Sequence, residues 1–196
     1  VTGATVTPEI LREASPDALI VAIGAIPSTP PIPGIGSANV VLVNDVDTGE
    51  AQTGKRVVIL GAGFSGSECA IPLLREGKEV TLIDLIPCVA YDMNNMGSQV
   101  WLSIQRMHRE LGAKFVFDAK IAKITPDGVK YTDKDGAEGF IPCDTVVNAL
   151  GLKVDNNAVN DLLLSAPESY AIGDCLGSDM TIDNAVLTGF TYAMEL

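Results

Sequence analysis

Gly61, Gly63 and Gly66 stand in a Gly-x-Gly-x-x-Gly spacing directly after an apolar run, Arg56 to Leu60. That spacing suits phosphate chemistry. The first glycine permits a tight turn, the second lets backbone approach a pyrophosphate, and the third lets a helix pack closely on the strand. The helix that follows would aim its N–H groups and positive dipole end at the anion. A second apolar run, Val80 to Ile83, ends in Asp84, 23 residues after Gly61. An acid at about that spacing accepts from ribose hydroxyls. Leu85, Ile86 and Pro87 follow with no Arg or Lys to meet a 2′-phosphate, so NADH is expected over NADPH. A bare glycine motif is weak evidence. Strand, glycines, helix and terminal acid together predict a βαβ unit that holds a dinucleotide through Gly61, Ala62, Gly63, Phe64, Ser65, Gly66, Asp84 and Leu85.

Other reactive side chains read more plainly. Glu68, one turn into the helix, is either a second site residue or a solvated helix-face acid. His108 is the single histidine, beside Arg106 and Arg109, and reads as structural or solvated. Cys69, Cys88, Cys143 and Cys175 form no Cys-x-x-Cys pair, so a zinc ribbon, a ligated iron–sulfur cluster and a redox dithiol are not expected. They read as small residues of a reduced, cytoplasmic protein. Tyr91, Met93 and Met96 read as packing at the start of a helix.

The elements that must position these groups follow from turn and cap signals. Thr7-Pro8-Glu9 predicts an N-cap and a short helix to about Glu13. Ala18 to Ile23 is an apolar strand ending at Gly24. Four prolines in Ile26 to Gly34 exclude helix and predict an extended domain crossing. A helix is expected over Asp92 to Leu111, with an apolar stripe at Val100, Ile104, Met107 and Leu111 and Gly112 as its stop. Lys114 to Asp118, Lys120 to Thr125 and Val129 to Thr132 read as short strands of a meander at about 114–143, with an Asp135-Gly136 turn and Phe140 starting the return strand. Thr145 to Leu150 is a buried strand, Ser169 to Asp174 ends another, and Asp183 to Leu196 is a last helix. The expected architecture is a parallel sheet with helices on both faces and this smaller meander.

Composition agrees with that class. The 196 residues are 47% hydrophobic, enough for a core with buried parallel strands. The net charge of −12 opposes nucleic acid and anionic lipid as partners. No apolar run approaches a membrane span, so no membrane partner is expected. Val1 is not a start methionine, which suggests a processed or trimmed chain or a fragment.

Three strand ends carry glycine around the central loop: Val21-Ala-Ile-Gly24, Asn148-Ala-Leu-Gly151 and Tyr170-Ala-Ile-Gly-Asp174. This order resembles the two-dinucleotide-domain flavoprotein reductases, in which an NAD(P) domain is inserted within an FAD domain. Within them, Gly61-x-Gly-x-x-Gly-x-Glu68, Asp84-Leu-Ile-Pro-Cys-Val-Ala-Tyr-Asp-Met93 and Asp144-Thr-Val-Val-Asn-Ala-Leu-Gly151 are most similar to one group. It is the C-terminal half of the old-yellow-enzyme-like NADH:flavin oxidoreductases, which include 2-enoate reductase and 2,4-dienoyl-CoA reductase. The resemblance covers essentially the whole chain.

It implies an α/β fold with a Rossmann-like three-layer NAD(P)-binding domain and a β-meander at 38–153. Partial FAD-domain segments at 1–37 and 154–196 would flank it. It further implies that Glu68 sits toward the nicotinamide, that Ala149, Leu150 and Gly151 pass close to the dinucleotide, and that Gly24, Gly173 and Asp174 serve FAD. Asp174 would bond FAD between its isoalloxazine arm and its pyrophosphate. The implied activity is hydride transfer from NADH to a flavin, with reduction of an enoate or related substrate elsewhere in a longer parent. That parent would hold FAD, and FMN and an iron–sulfur cluster in regions outside this chain. No Gly-x-Gly-x-x-Gly precedes Gly24, so the chain is expected to bind NADH better than FAD and to be inactive alone. Its partners would be the small dinucleotide and the rest of the parent polypeptide; homo-oligomerisation is left open, and no catalytic residue is named. A rival reading is a module that binds ADP or AMP without hydride traffic. A third has a partner chain supply the missing FAD strand.

Overall fold

The computed structural model describes residues 2–90, 99–177 and 180–196. In chain order the elements begin with α1 (Pro8–Ala14), β1 (Ala18–Val21), β2 (Ile26–Pro27), β3 (Val40–Leu42), α2 (Val43–Asp47) and β4 (Arg56–Leu60). Next come α3 (Phe64–Arg75), β5 (Glu79–Ile83), α4 (Gln99–Leu111), β6 (Lys114–Val116), β7 (Ala119–Thr125), β8 (Gly128–Asp133), β9 (Glu138–Pro142) and β10 (Thr145–Asn148). The last are β11 (Leu152–Lys153), α5 (Asn156–Leu163), β12 (Glu168–Ala171), a 3₁₀ turn at Gly173–Leu176 and α6 (Ile182–Ala193). They fall into two compact units: Pro27–Gly151, and Val1–Ile26 together with Leu152–Leu196. The Tyr91, Met93 and Met96 cluster and residues 92–98 of the expected helix lie outside the described residues.

The Pro27–Gly151 unit is built on a parallel sheet in the order β3-β10-β4-β5-β6. Alternation along β4 sorts its side chains by face. Val57 and Ile59 join Ala70, Leu73 and Leu74 of α3, with Val80 and Leu82 of β5. Val58 and Leu60 face the other way, onto Ala119, Ile124 and Val129 of the meander β7-β8-β9. Ile59 and Leu60 are fully buried, each contributing roughly 2 kcal/mol of transfer free energy. Helices were expected on both faces. Among the described residues the second face is instead covered by the meander, whose apolar side chains pack directly on it.

The meander starts later than its expected first strand at Lys114. Lys114–Val116 is the outer strand of the parallel sheet, pairing Thr81 with Lys114 and Leu82 with Phe115. The meander begins only at Ala119, after Asp118 turns the chain in the left-handed region at φ 53°. Both long helices of this unit stop at glycine. Gly77 (φ 77°) and Gly112 (φ 78°) follow α3 and α4, and the next residues donate back across the last turn, Lys78 to the Leu73 carbonyl and Ala113 to that of His108. The unit's two ends also meet. The Ser28 N–H donates to the Gly151 carbonyl at 2.9 Å, and the Asn148 amide donates to the Ser28 carbonyl at 3.0 Å.

In the second unit β1 and β12 pair in parallel, Ala18 opposite Glu168 and Val21 opposite Ala171. Val21, Val159 and Cys175 form its small core. Thr7 caps α1 as expected, accepting from the Ile10 N–H at 3.5 Å. Helix α5, for which no expectation existed, is capped by Asp155, which accepts from the Ala158 N–H at 3.1 Å. Helix α6 buries none of its residues, and Val186, Leu187 and Phe190 are each about two-thirds exposed. Among the described residues no helix is long and apolar enough to cross a membrane.

Candidate functional site

Strands β10, β4 and β5 end level, with Asn148 opposite Leu60 and Leu60 opposite Ile83. Their outgoing loops therefore leave side by side at the carboxyl edge, where open α/β sheets bind ligands. The loops enclose a cleft of about 320 Å³ lined by Gly61, Gly63, Phe64, Ser65, Asp84, Ile86, Ala149, Leu150 and Gly151. Eight of the residues expected to meet a dinucleotide are thus brought together. Glu68 is exposed on α3 and lines a separate groove with Ile71, Pro72 and Met107 of the α3–α4 pair. Partial burial and then the Asp47 carboxylate push its carboxyl above the usual range. Gly24, Gly173 and Asp174 belong to the other unit, at the carboxyl ends of β1 and β12.

The glycines are dictated by backbone. Gly61 sits at φ 97°, and a β-carbon there would lie 2.5 Å from the Ala149 carbonyl oxygen. A β-carbon on Gly66 would collide with the Gly61 carbonyl oxygen and press on the Ala149 methyl at 3.2 Å. Helix α3 has Gly63 as its N-cap, with no side-chain cap. Gly63 itself offers no side-chain oxygen there, and the positive dipole end of the helix start is suited to an anion. These features fit a pyrophosphate.

Asp84 does more than terminate β5. Its Oδ2 accepts from the Ala62 N–H at 2.6 Å and its Oδ1 from the Ile86 N–H at 3.0 Å. The carboxylate thus ties the glycine loop to the strand beside it. Each carboxylate oxygen keeps a second lone pair for a hydroxyl donor.

Three residues of this neighbourhood, Ser67, Ala90 and Trp101, were not anticipated, and His108, expected to be structural or solvated, joins them in a structural role. Ser67 is fully buried and donates its hydroxyl to the Ala62 carbonyl at 2.9 Å. Ala90 donates its N–H to the same oxygen at 2.6 Å. Trp101 Nε1 donates to the Val89 carbonyl at 3.0 Å, and His108 Nε2 lies 2.8 Å from the Ser67 carbonyl oxygen. A sequence signal existed for His108, which stands four residues after Ile104 and three before Leu111 on the buried stripe of α4. Of the expected stripe, Val100 is 47% exposed, and Trp101 occupies the inward position instead.

His108 is 1% exposed and its Nδ1 has no hydrogen-bond partner. The Ser67 carbonyl can only accept, so the ring carries its proton on Nε2. Burial pushes the imidazole below its usual pKa, opposed by the Ser67 bond. The neutral ring's stabilisation is therefore complete above the unfolded pKa of about 6.5 and is lost as pH falls through the lower folded value. The urea midpoint should fall more steeply between about pH 7 and about pH 5 for the wild type than for His108→Gln. Parallel curves would contradict this. The buried Cys69 and Cys143 thiols are pushed up to about 12 and about 11, chiefly by burial, and are poor nucleophiles.

Relatives of known activity span this chain. It is 30% identical over 199 residues to an NADH oxidase of Thermoanaerobacter brockii, covering 99% of this chain and 30% of that protein. It is 31% identical over 180 residues to a rubredoxin-NAD(+) reductase of Acinetobacter baylyi, covering 80% and 45%. The solved structure of a 2-naphthoyl-CoA reductase in complex with 2-naphthoyl-CoA matches with a TM-score of 0.86 and 30% identity, over 95% of this chain and 28% of that one. The chain thus spans less than half the length of each of these relatives. Residues 4–189 match the family model of the pyridine nucleotide-disulphide oxidoreductases, flavoproteins that take FAD and NAD(P)H, and the chain belongs to that family.

Proposed function

We propose that this chain is the nicotinamide-dinucleotide-binding portion of a longer NADH-dependent flavin oxidoreductase of the old-yellow-enzyme-like group. The observation that carries the reading is the cleft at the level ends of β10, β4 and β5, with Gly61 and Gly66 held free of β-carbons and Asp84 at its rim. Gly61, Gly63 and Gly66 would lay the pyrophosphate against the start of α3. Asp84 would accept from the adenosine ribose while still holding Ala62 and Ile86. Ala149, Leu150 and Gly151 would form the opposite wall. When bound, the dinucleotide supplies a hydride; the protein supplies position and exclusion of water.

The likenesses that run along nearly the whole chain, to an NADH oxidase and a 2-naphthoyl-CoA reductase, are to proteins over three times its length. That supports a longer parent in which other polypeptide holds the substrate and completes the flavin site. Residues 1–37 and 154–196 would be parts of its FAD domain, with Gly24, Gly173 and Asp174 touching FAD. No glycine-rich strand-to-helix turn lies among the described residues of that unit, so its phosphate cradle would come from elsewhere. Reduction of an enoate or related acyl substrate would likewise belong to the parent.

Melting-temperature shifts test the reading. NADH is expected to stabilise the chain more than ADP does, and more than NADPH at the same concentration. Equal stabilisation by NADH and ADP would favour a non-catalytic nucleotide module, and tighter NADPH than NADH binding would overturn the cofactor preference.

A further inference from the structure

The Ala62 carbonyl oxygen, at the centre of the glycine loop, is held from two sides by chains of hydrogen bonds that both begin on α4. On one side, Trp101 Nε1 donates to the Val89 carbonyl, and the next residue, Ala90, donates its N–H to Ala62. Ala90 makes this bond from the left-handed region at φ 49°, a conformation that costs an alanine roughly 1 kcal/mol and must be enforced by its surroundings. On the other side, His108 Nε2 donates to the Ser67 carbonyl, and the Ser67 hydroxyl donates to Ala62. Trp101 and His108 are seven residues apart, two helical turns, and so share one face of α4. Ser67, Ala62 and Ala90 are each fully buried, so these bonds exclude water as an alternative partner.

We propose that α4 positions the dinucleotide loop, with Trp101 and His108 as positioning residues whose hydrogen bonds converge on the Ala62 carbonyl through Ala90 and Ser67. Asp84 fixes the N–H of the same residue, so Ala62 is held at both its polar atoms. Neither α4 side chain lines the cleft. Their effect is on where the neighbouring Gly61 and Gly63 backbone stands when a phosphate arrives. The effect on binding rests on the dinucleotide reading above; the effect on the loop does not.

Three variants of the full chain separate these claims. His108→Leu removes the donor at similar volume, His108→Gln keeps an N–H near the Nε2 position, and Trp101→Phe keeps the ring but removes its N–H. In the ligand-free chain, amide hydrogen exchange of Ala62 to Ser67 should quicken about tenfold in His108→Leu and Trp101→Phe relative to the amides of β4, and should stay near wild type in His108→Gln. NADH affinity should fall about threefold to tenfold in the first two variants and recover in His108→Gln. If loop amides quicken only in step with β4, the two residues serve general stability and the proposal fails. If the loop responds while even the wild type gives no NADH-dependent shift, the positioning role stands and the dinucleotide reading falls. Should His108→Leu fail to fold, Trp101→Phe and His108→Gln still decide between these outcomes.

Discussion

Gly66→Ala is expected to destabilise the Pro27–Gly151 unit by about 3 kcal/mol and to abolish dinucleotide-dependent stabilisation. In an ordinary helix position this substitution would gain roughly 1 kcal/mol of helix propensity. Here the new methyl meets the Gly61 carbonyl oxygen and the Ala149 side chain, both fixed in the turns that wall the cleft. Relief would require α3 to move away from β4, and Ala70, Leu73 and Leu74 would lose their packing on Val57 and Ile59. Overpacking against backbone therefore outweighs propensity. Gly151→Ala is the informative comparison. Gly151 sits at φ 85° with open space around an added β-carbon, so only the left-handed penalty of roughly 1 kcal/mol applies. Urea unfolding should rank Gly66→Ala well below Gly151→Ala. The reverse order would show that crowding at the glycine loop is not what fixes glycine there.

Asp84→Ala is expected to weaken NADH binding by about tenfold to a hundredfold and NADPH binding by less. Charge-assisted hydrogen bonds are worth about 1.5–3 kcal/mol, and this carboxylate already makes two with backbone N–H groups. Removing it frees the Ala62 peptide on its N–H side and removes the acceptor proposed for the ribose. Asp84→Asn retains an acceptor for one N–H and should fall between wild type and Asp84→Ala. Fluorescence titration with both nucleotides decides the matter. An equal loss for NADH and NADPH would mean that Asp84 acts only as a fastener of the loop.

How far such residues could be read from sequence depends on the range of the forces that place them. The β4 turn was legible because its parts are local: an apolar strand, three glycines at set spacing, and a helix that starts just after the second of them. Gly112 was a legible stop for the same reason, since C-cap geometry is decided within six residues. The pairing of Lys114–Val116 was not, because Lys114 to Phe115 alternates as well for an outer parallel strand as for a hairpin arm. Only its partner, Thr81 to Ile83, distinguishes the two. The Ser67–His108 contact escaped for a similar reason. It joins residues 41 apart in the chain, and neither carries a local pattern that names the other. Helix α5 is eight residues long, too short for its period to stand out, although its Asp155 cap is a local sign that could have been used.

The hydrogen bonds that join Ser28 to Gly151 and to Asn148 have a consequence for chain entropy. A segment inserted into another folded unit ordinarily adds a loop-closure cost that grows with the logarithm of its length. The Pro27–Gly151 unit ties its own first and last residues together, so the chain on either side experiences it as a turn of a few residues. Such a unit can enter or leave a host fold, or be circularly permuted, with little change in the host's conformational freedom.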